Sequence, residues 1–314
     1  YDPSGEWSAG LMKKNKYEID MCNGTLMDKL ISFAIPLMLS GILQLMFNAV
    51  DIIVVGRFSG SQSLAAVGST TALINVFTNL FIGISLGANV LAARYYALEK
   101  SKEMSETVHT AIAFALISGV GMAVIGLLMA KPALELMGTP DDVIAKSTLY
   151  MRIYFCGMPF FMLYNYGAAI LRAVGDTKRP LLFLIISGVI NALLNLFLVI
   201  QFHLDVAGVG IATVISQLIS CILVLRCLYC SESSYQFRPE KLNIRARYLR
   251  QIFEVGIPAG IQSTVINLSN AMLQSSVNSF GSISMAGYTA ANNIFGFLYV
   301  SVNSVTQACM SFTS

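Results

Sequence analysis

Eight continuous apolar segments decide what this chain can fold into. They cover 30–55, 64–92, 109–130, 150–174, 181–202, 206–229, 252–279 and 285–311. Each reaches the roughly 20 residues that carry a helix across a hydrocarbon core. In lipid every backbone N–H and C=O must be satisfied within the structure, so only helices and closed barrels span. The segments are long and continuously apolar rather than alternating, so helices fit better than barrel strands. A soluble domain has about 25% charged residues; this chain has 12%, with 55% hydrophobic residues and a mean hydropathy of +0.68. The expected fold class is an all-α polytopic membrane protein.

The charges orient the chain. With the start inside, the inner segments hold Lys13, Lys14, Lys16, Lys29, Arg94, Lys100, Lys102, Arg172, Lys178, Arg179 and Arg226, and then Arg238, Lys241, Arg245, Arg247 and Arg250. The outer segments hold only Arg57, Lys131, Lys146 and Arg152. The positive-inside rule then puts the amino terminus in the cytoplasm, in the cytoplasmic (inner) membrane of a bacterium. The net charge of +3 is a topology signal and points to no nucleic acid. Residues 1–29 form a cytoplasmic tail, of which 1–11 look non-native ahead of the start-like Met12-Lys-Lys-Asn-Lys. No cleavable secretory signal is visible, and the first span serves as its own insertion signal. The Cys227-Leu-Tyr-Cys230 pair has no second pair or nearby His to make it a metal site.

One acid lies well inside a span: Asp51, in the run Gln44-Leu-Met-Phe-Asn48-Ala-Val-Asp51. A carboxylate in a membrane costs several kcal/mol unless it faces water, a partner or an ion. Helical spacing places Ser40, Gln44, Asn48 and Asp51 on one stripe. The second span has Thr71, Asn75 and Thr78 or Asn79; the fifth has Ser187, Asn191 and Asn195; the sixth has Thr213, Gln217 and Ser220. The seventh has Ser263, Asn267, Asn270 and Gln274, and the eighth Asn292, Gly296, Tyr299 and Asn303. Any one of these side chains serves well enough as interhelical glue. Six stripes together fit a water-lined cavity better, with Gln44, Asn48, Asn75, Ser187 and Gln217 as lining for a solute. Pro36, Pro159 and Pro258 fall inside spans one, four and seven, where each removes a hydrogen bond and permits a bend. Pro36 shares its helix with Asp51 and is the candidate hinge.

The chain also repeats. Phe33-Ala-Ile-Pro36 returns as Val255-Gly-Ile-Pro258, and Asn48-Ala49 as Asn270-Ala271, 222 residues later. Six spans separate the copies, so both enter the membrane in the same direction, as in parallel-repeat transporters with a site between their halves. The expected organisation is a six-helix amino-terminal lobe with the cation-binding cavity (30–229), a basic solvated cytoplasmic linker (230–251), and the first two helices of a second lobe (252–314). The second copy stops after two spans, so the chain reads as part of a twelve-span protein.

These residues resemble the multidrug and toxic compound extrusion (MATE) family. The motifs are Pro36 followed by Asn48-Ala-Val-Asp51 and Val55-Gly-Arg57, then Ile84-Ser-Leu-Gly-Ala-Asn89 and Leu171-Arg-Ala-Val-Gly-Asp-Thr-Lys-Arg-Pro180, then Asn191 and Gly208-Val-Gly-Ile-Ala-Thr213. The resemblance implies a twelve-helix antiporter, monomeric when full length, whose two lobes rock between inward-open and outward-open states. It implies export of amphipathic organic cations in exchange for Na⁺ or H⁺, with no cofactor beyond the coupling ion. It places that ion at Asp51, Asn191 and Thr213, and also at Asn165, which stands where a helix-four Asn is found in the family. Asn195 departs from the pattern, because many prokaryotic members carry a second acid there. A two-carboxylate proton relay is therefore not available, although Asp51 with Asn and Thr oxygens still suits Na⁺, and Asp51 alone can carry one H⁺.

Two rival readings compete. A lipid-linked oligosaccharide or cell-wall precursor flippase needs a strongly cationic cavity for pyrophosphate, and these spans are nearly free of Lys and Arg. A non-transporting fragment or scaffold fits the 314 residues taken alone. An enzyme is not expected, since no His–Asp–Ser set, paired acids or metal cluster lies within the spans.

Overall fold

The computed structural model describes residues 26–136, 139, 141–231, 233–278 and 282–313. In these residues the chain forms nine α-helices: α1 Leu26–Phe58, α2 Ser61–Ala97, α3 Ser101–Leu136, α4 Asp141–Cys156, α5 Met158–Ala173, α6 Lys178–Leu196, α7 Asp205–Tyr229, α8 Ala246–Asn278 and α9 Ser282–Thr313. α6 runs on into a π-helical turn, Phe197–Gln201. Five stretches are long and apolar enough to cross a membrane: Met27–Phe58, Gln62–Ala97, Ser101–Leu136, Lys178–Gln201 and Asp205–Tyr229.

The fourth apolar segment departs from a single kinked span. It breaks at Gly157 into α4 and α5, each 16 residues long. Pro159 lies in the first turn of α5 rather than inside a helix. The physical reason is that proline offers no N–H to the preceding turn but suits a helix start. The Gly157 carbonyl instead accepts from Phe160 N and Phe161 N, at 3.1 and 3.0 Å. Pro36, Pro132 and Pro258 stay inside their helices, while Pro180 sits in the first turn of α6.

The core is built by α2 to α7 around Phe155, Met158, Met162, Tyr166 and Leu171, all fully buried. Leucines and isoleucines on the other side of the same helices, such as Leu128, Leu193 and Ile222, are exposed. A surface of that kind is stable only against lipid.

α8 and α9 pack back onto this lobe, α8 along α2 and α9 along α1. The α2–α8 crossing joins two small-residue pairs, Gly83 and Gly87 against Gly256 and Gly260. Gly83 faces the backbone of Gly260, and Gly87 faces the Ile252 carbonyl and Gly256. With no Cβ between them the helix backbones touch, and van der Waals packing replaces the hydrophobic driving force that lipid removes. Further along α2, buried Asn89 donates to the Ala169 carbonyl of α5 (2.8 Å) and accepts from the Ser311 hydroxyl of α9 (3.0 Å). Asn89 and Ser311 hold nearly equivalent places in the two copies of the repeat. At the opposite end, Lys146 pairs with Asp205 (2.7 Å) and donates to Ser63 (2.9 Å), tying α4, α7 and α2 together.

The linker between α7 and α8, taken with the first turns of α8, has two aspects. Its basic side chains, Arg238, Lys241, Arg245, Arg247 and Arg250, are exposed. Its aromatics are not: Tyr235, Phe237 and Tyr248 are buried. Tyr235 meets Tyr96 and Tyr248 meets Tyr95, both edge-on, and Tyr95 donates to Gln251 Oε1 at 3.0 Å.

Candidate functional site

Asp51 reaches its partners because α1 and α6 come unusually close one turn away. The Phe47 ring lies directly on Gly188, where any side chain would collide with it. Asp51 is one turn beyond Phe47, and Asn191 and Asn195 are one and two turns beyond Gly188, so the contact aligns them. Asn195, wholly buried, donates from Nδ2 to Asp51 Oδ1 and also contacts Asn191 Oδ1 at 3.2 Å. The Asp51–Asn195 hydrogen bond is charge-assisted when the acid is ionised, the stronger class of hydrogen bond.

The break at Gly157 supplies the other wall. Tyr150 and Tyr154, one turn apart on α4, lie within electrostatic reach of Asp51. Gln217 of α7 lies beside the Tyr154 side chain. Its amide oxygen sits where a Cβ on residue 157 would come within 2.6 Å, so glycine is what leaves room for it. Asn195 Oδ1 and Gln217 Oε1 are both buried and have no hydrogen-bond partner among the described residues. Buried carbonyl oxygens normally find a donor. A carboxylate and amide oxygens without donors are hard ligands of the kind that Na⁺ or a proton-carrying water would satisfy.

The remaining candidates are placed differently. Thr213 bonds the Val209 carbonyl (2.9 Å) and Ser187 the Leu184 carbonyl (3.1 Å), each within its own helix. Asn165, half-buried, donates to the Phe161 carbonyl at 2.8 Å. Thr213 stands one turn before Gln217 on α7 and shares its face. Gln44, Asn48 and Asn75 are exposed. Pro36 is buried, and its carbonyl accepts from Ser40 at 2.8 Å. The side chains of Asn267, Asn270, Gln274 and Asn292 lie outside the described residues.

Sequence reasoning missed Tyr150 and Tyr154, which carry no charge and look like ordinary apolar residues of a span. The signal was Gly157-Met-Pro159, which marks a helix break and thus a change in what α4 faces. It also missed the π-helical turn two residues after Asn195, a feature that recurs at functional sites.

The MatE family profile matches residues 36–197, just over half of the chain. The chain is 33% identical over 289 residues to the probable multidrug resistance protein YoeA of Bacillus subtilis, covering 90% of this chain and 62% of that protein. It is 23% identical over 269 residues to the multidrug export protein MepA of Staphylococcus aureus, covering 82% of this chain and 57% of MepA. It thus spans about three fifths of the length of these relatives. The outward-facing structure of a multidrug resistance MATE family transporter superposes with a TM-score of 0.88 at 21% identity, over 96% of this chain and 67% of that one. On the family profile, the fold and the helix-one to helix-six motifs together, the chain belongs to the MATE family of multidrug efflux transporters.

Proposed function

We propose that the full-length protein exports amphipathic organic cations across the cytoplasmic membrane in exchange for Na⁺ or H⁺ taken up at Asp51. The observation that carries this reading is the intramembrane Asp51 carboxylate held by Asn195, together with buried amide oxygens of Asn195 and Gln217 that have no donor among the described residues. Asn191 and Thr213 complete the proposed cation site, with Asn165 further along the lobe. Antiport needs ion and drug to favour different arrangements of the lobes, because a ligand that binds both equally shifts nothing. One fixed negative charge serves that purpose: the monovalent ion and the organic cation compete to neutralise it. Asn195 in place of an acid limits the amino-terminal lobe to one charge, so one ion per cycle is expected there.

The test is uptake of a fluorescent organic cation such as ethidium into proteoliposomes holding the full-length protein. An outward gradient of Na⁺ alone or of H⁺ alone is imposed. One of the two is expected to drive accumulation at least tenfold above the gradient-free rate. Equal uptake with and without either gradient would rule out coupled antiport.

A further inference from the structure

We infer that His109 is a proton-sensitive latch that holds the interlobe linker on the first lobe. His109 lies in the third turn of α3, is buried, and has a fixed tautomer. Its Nδ1 faces the Ser105 carbonyl at 2.6 Å, and a carbonyl can only accept, so Nδ1 carries the proton. Its Nε2 accepts the backbone N–H of Arg238 at 3.1 Å. The ring is also tilted against Phe237, with centroids 5.6 Å apart. The next residue continues the seam, since the Thr110 hydroxyl accepts the Arg245 N–H at 3.3 Å.

Neutral histidine is therefore the form that binds the linker. A second proton would go on Nε2 and point at an N–H, turning an acceptor into a donor and leaving the Arg238 N–H without a partner. The charged groups lining the cleft beside the ring are Glu106 on α3 and Glu240, Lys241 and Arg245 on the linker. They are two acids and two bases, so their charges oppose rather than add. The Arg238 side chain turns away to Gln236 Oε1.

What the latch governs follows from the chain. The linker leads straight into α8, whose first turns meet α2 through Tyr248 and Gln251 and then cross it at Gly256 and Gly260. The charge bias assigns this end of the bundle to the cytoplasm. Protonation there frees the start of α8 and favours opening of that end; this consequence, unlike the latch itself, rests on the two-lobe transporter reading.

Hydrogen–deuterium exchange of the full-length protein between pH 8 and pH 5.5 tests it, with rates corrected for intrinsic pH dependence. Protection of the peptide covering 234–245 is expected to fall at least tenfold at the lower pH. His109→Gln, which keeps a carbonyl acceptor that does not titrate, is expected to show no pH dependence, whether its linker is protected or free at both values. Constant protection in the wild type, or an unchanged pH response in His109→Gln, would overturn the latch. The response should survive in Asp51→Asn, so failure of the transport reading is seen separately.

Discussion

Asp51→Asn in the full-length protein is expected to abolish gradient-driven efflux of organic cations while leaving expression and membrane insertion intact. The substitution keeps the size and the hydrogen-bond acceptor that Asn195 uses, and removes only the charge. Burying a neutral amide in place of a carboxylate lowers the desolvation cost, so folding should not suffer. What disappears is the one group in the described spans that a cation can neutralise between the inner and outer faces. In inside-out vesicles, efflux should fall by at least tenfold, to the level of vesicles lacking the protein. Efflux retained within twofold of the wild type would remove Asp51 from the mechanism, whatever the fold.

Gly87→Val is the second large effect, and it concerns the lobe contact. A Cβ on residue 87 would overlap the Ile252 carbonyl and lie 2.8 Å from the Gly256 nitrogen, both backbone atoms that cannot swing aside. Overpacking a rigid contact costs about 1–3 kcal/mol, more where backbone must move. The expected outcome is a large drop in the thermal midpoint of the detergent-solubilised protein, with α8 displaced from α2. Gly121→Val, at a helix position with nothing within 4 Å of the added carbon, is the matched control and should leave the midpoint nearly unchanged. Equal midpoints for the two variants would show that the α2–α8 crossing contributes little to holding the helices together.

How much of this was legible in the sequence depends on the kind of residue. The long helices were, because twenty-odd apolar residues admit one solution in lipid. Asp51 and the four-residue spacing of Asn191 and Asn195 were legible for the same reason, since a polar atom in an apolar run stands out. Contacts between helices were not. Nothing in the hydropathy of Gly188 says that Phe47 will lie on it, though that contact aligns Asp51 with Asn195. The pairs Gly83/Gly87 and Gly256/Gly260 have the spacing of a close helix crossing, visible in the sequence but without a stated partner. The linker was obscured by its own arginines. They are solvated as charges should be, while Tyr235, Phe237 and Tyr248 among them are buried. Tyr150 and Tyr154 remained hidden because only the break at Gly157 decides what they face.

In the proposed cycle, ion and drug compete for the charge on Asp51. The most direct measurement is ion release from the purified full-length protein on adding a saturating organic cation. Protons are followed in weakly buffered solution, or Na⁺ in protein pre-equilibrated with it. Release of one ion per drug bound is expected in the wild type, and none from Asp51→Asn. Release that is undiminished in Asp51→Asn would place the coupling elsewhere and contradict it.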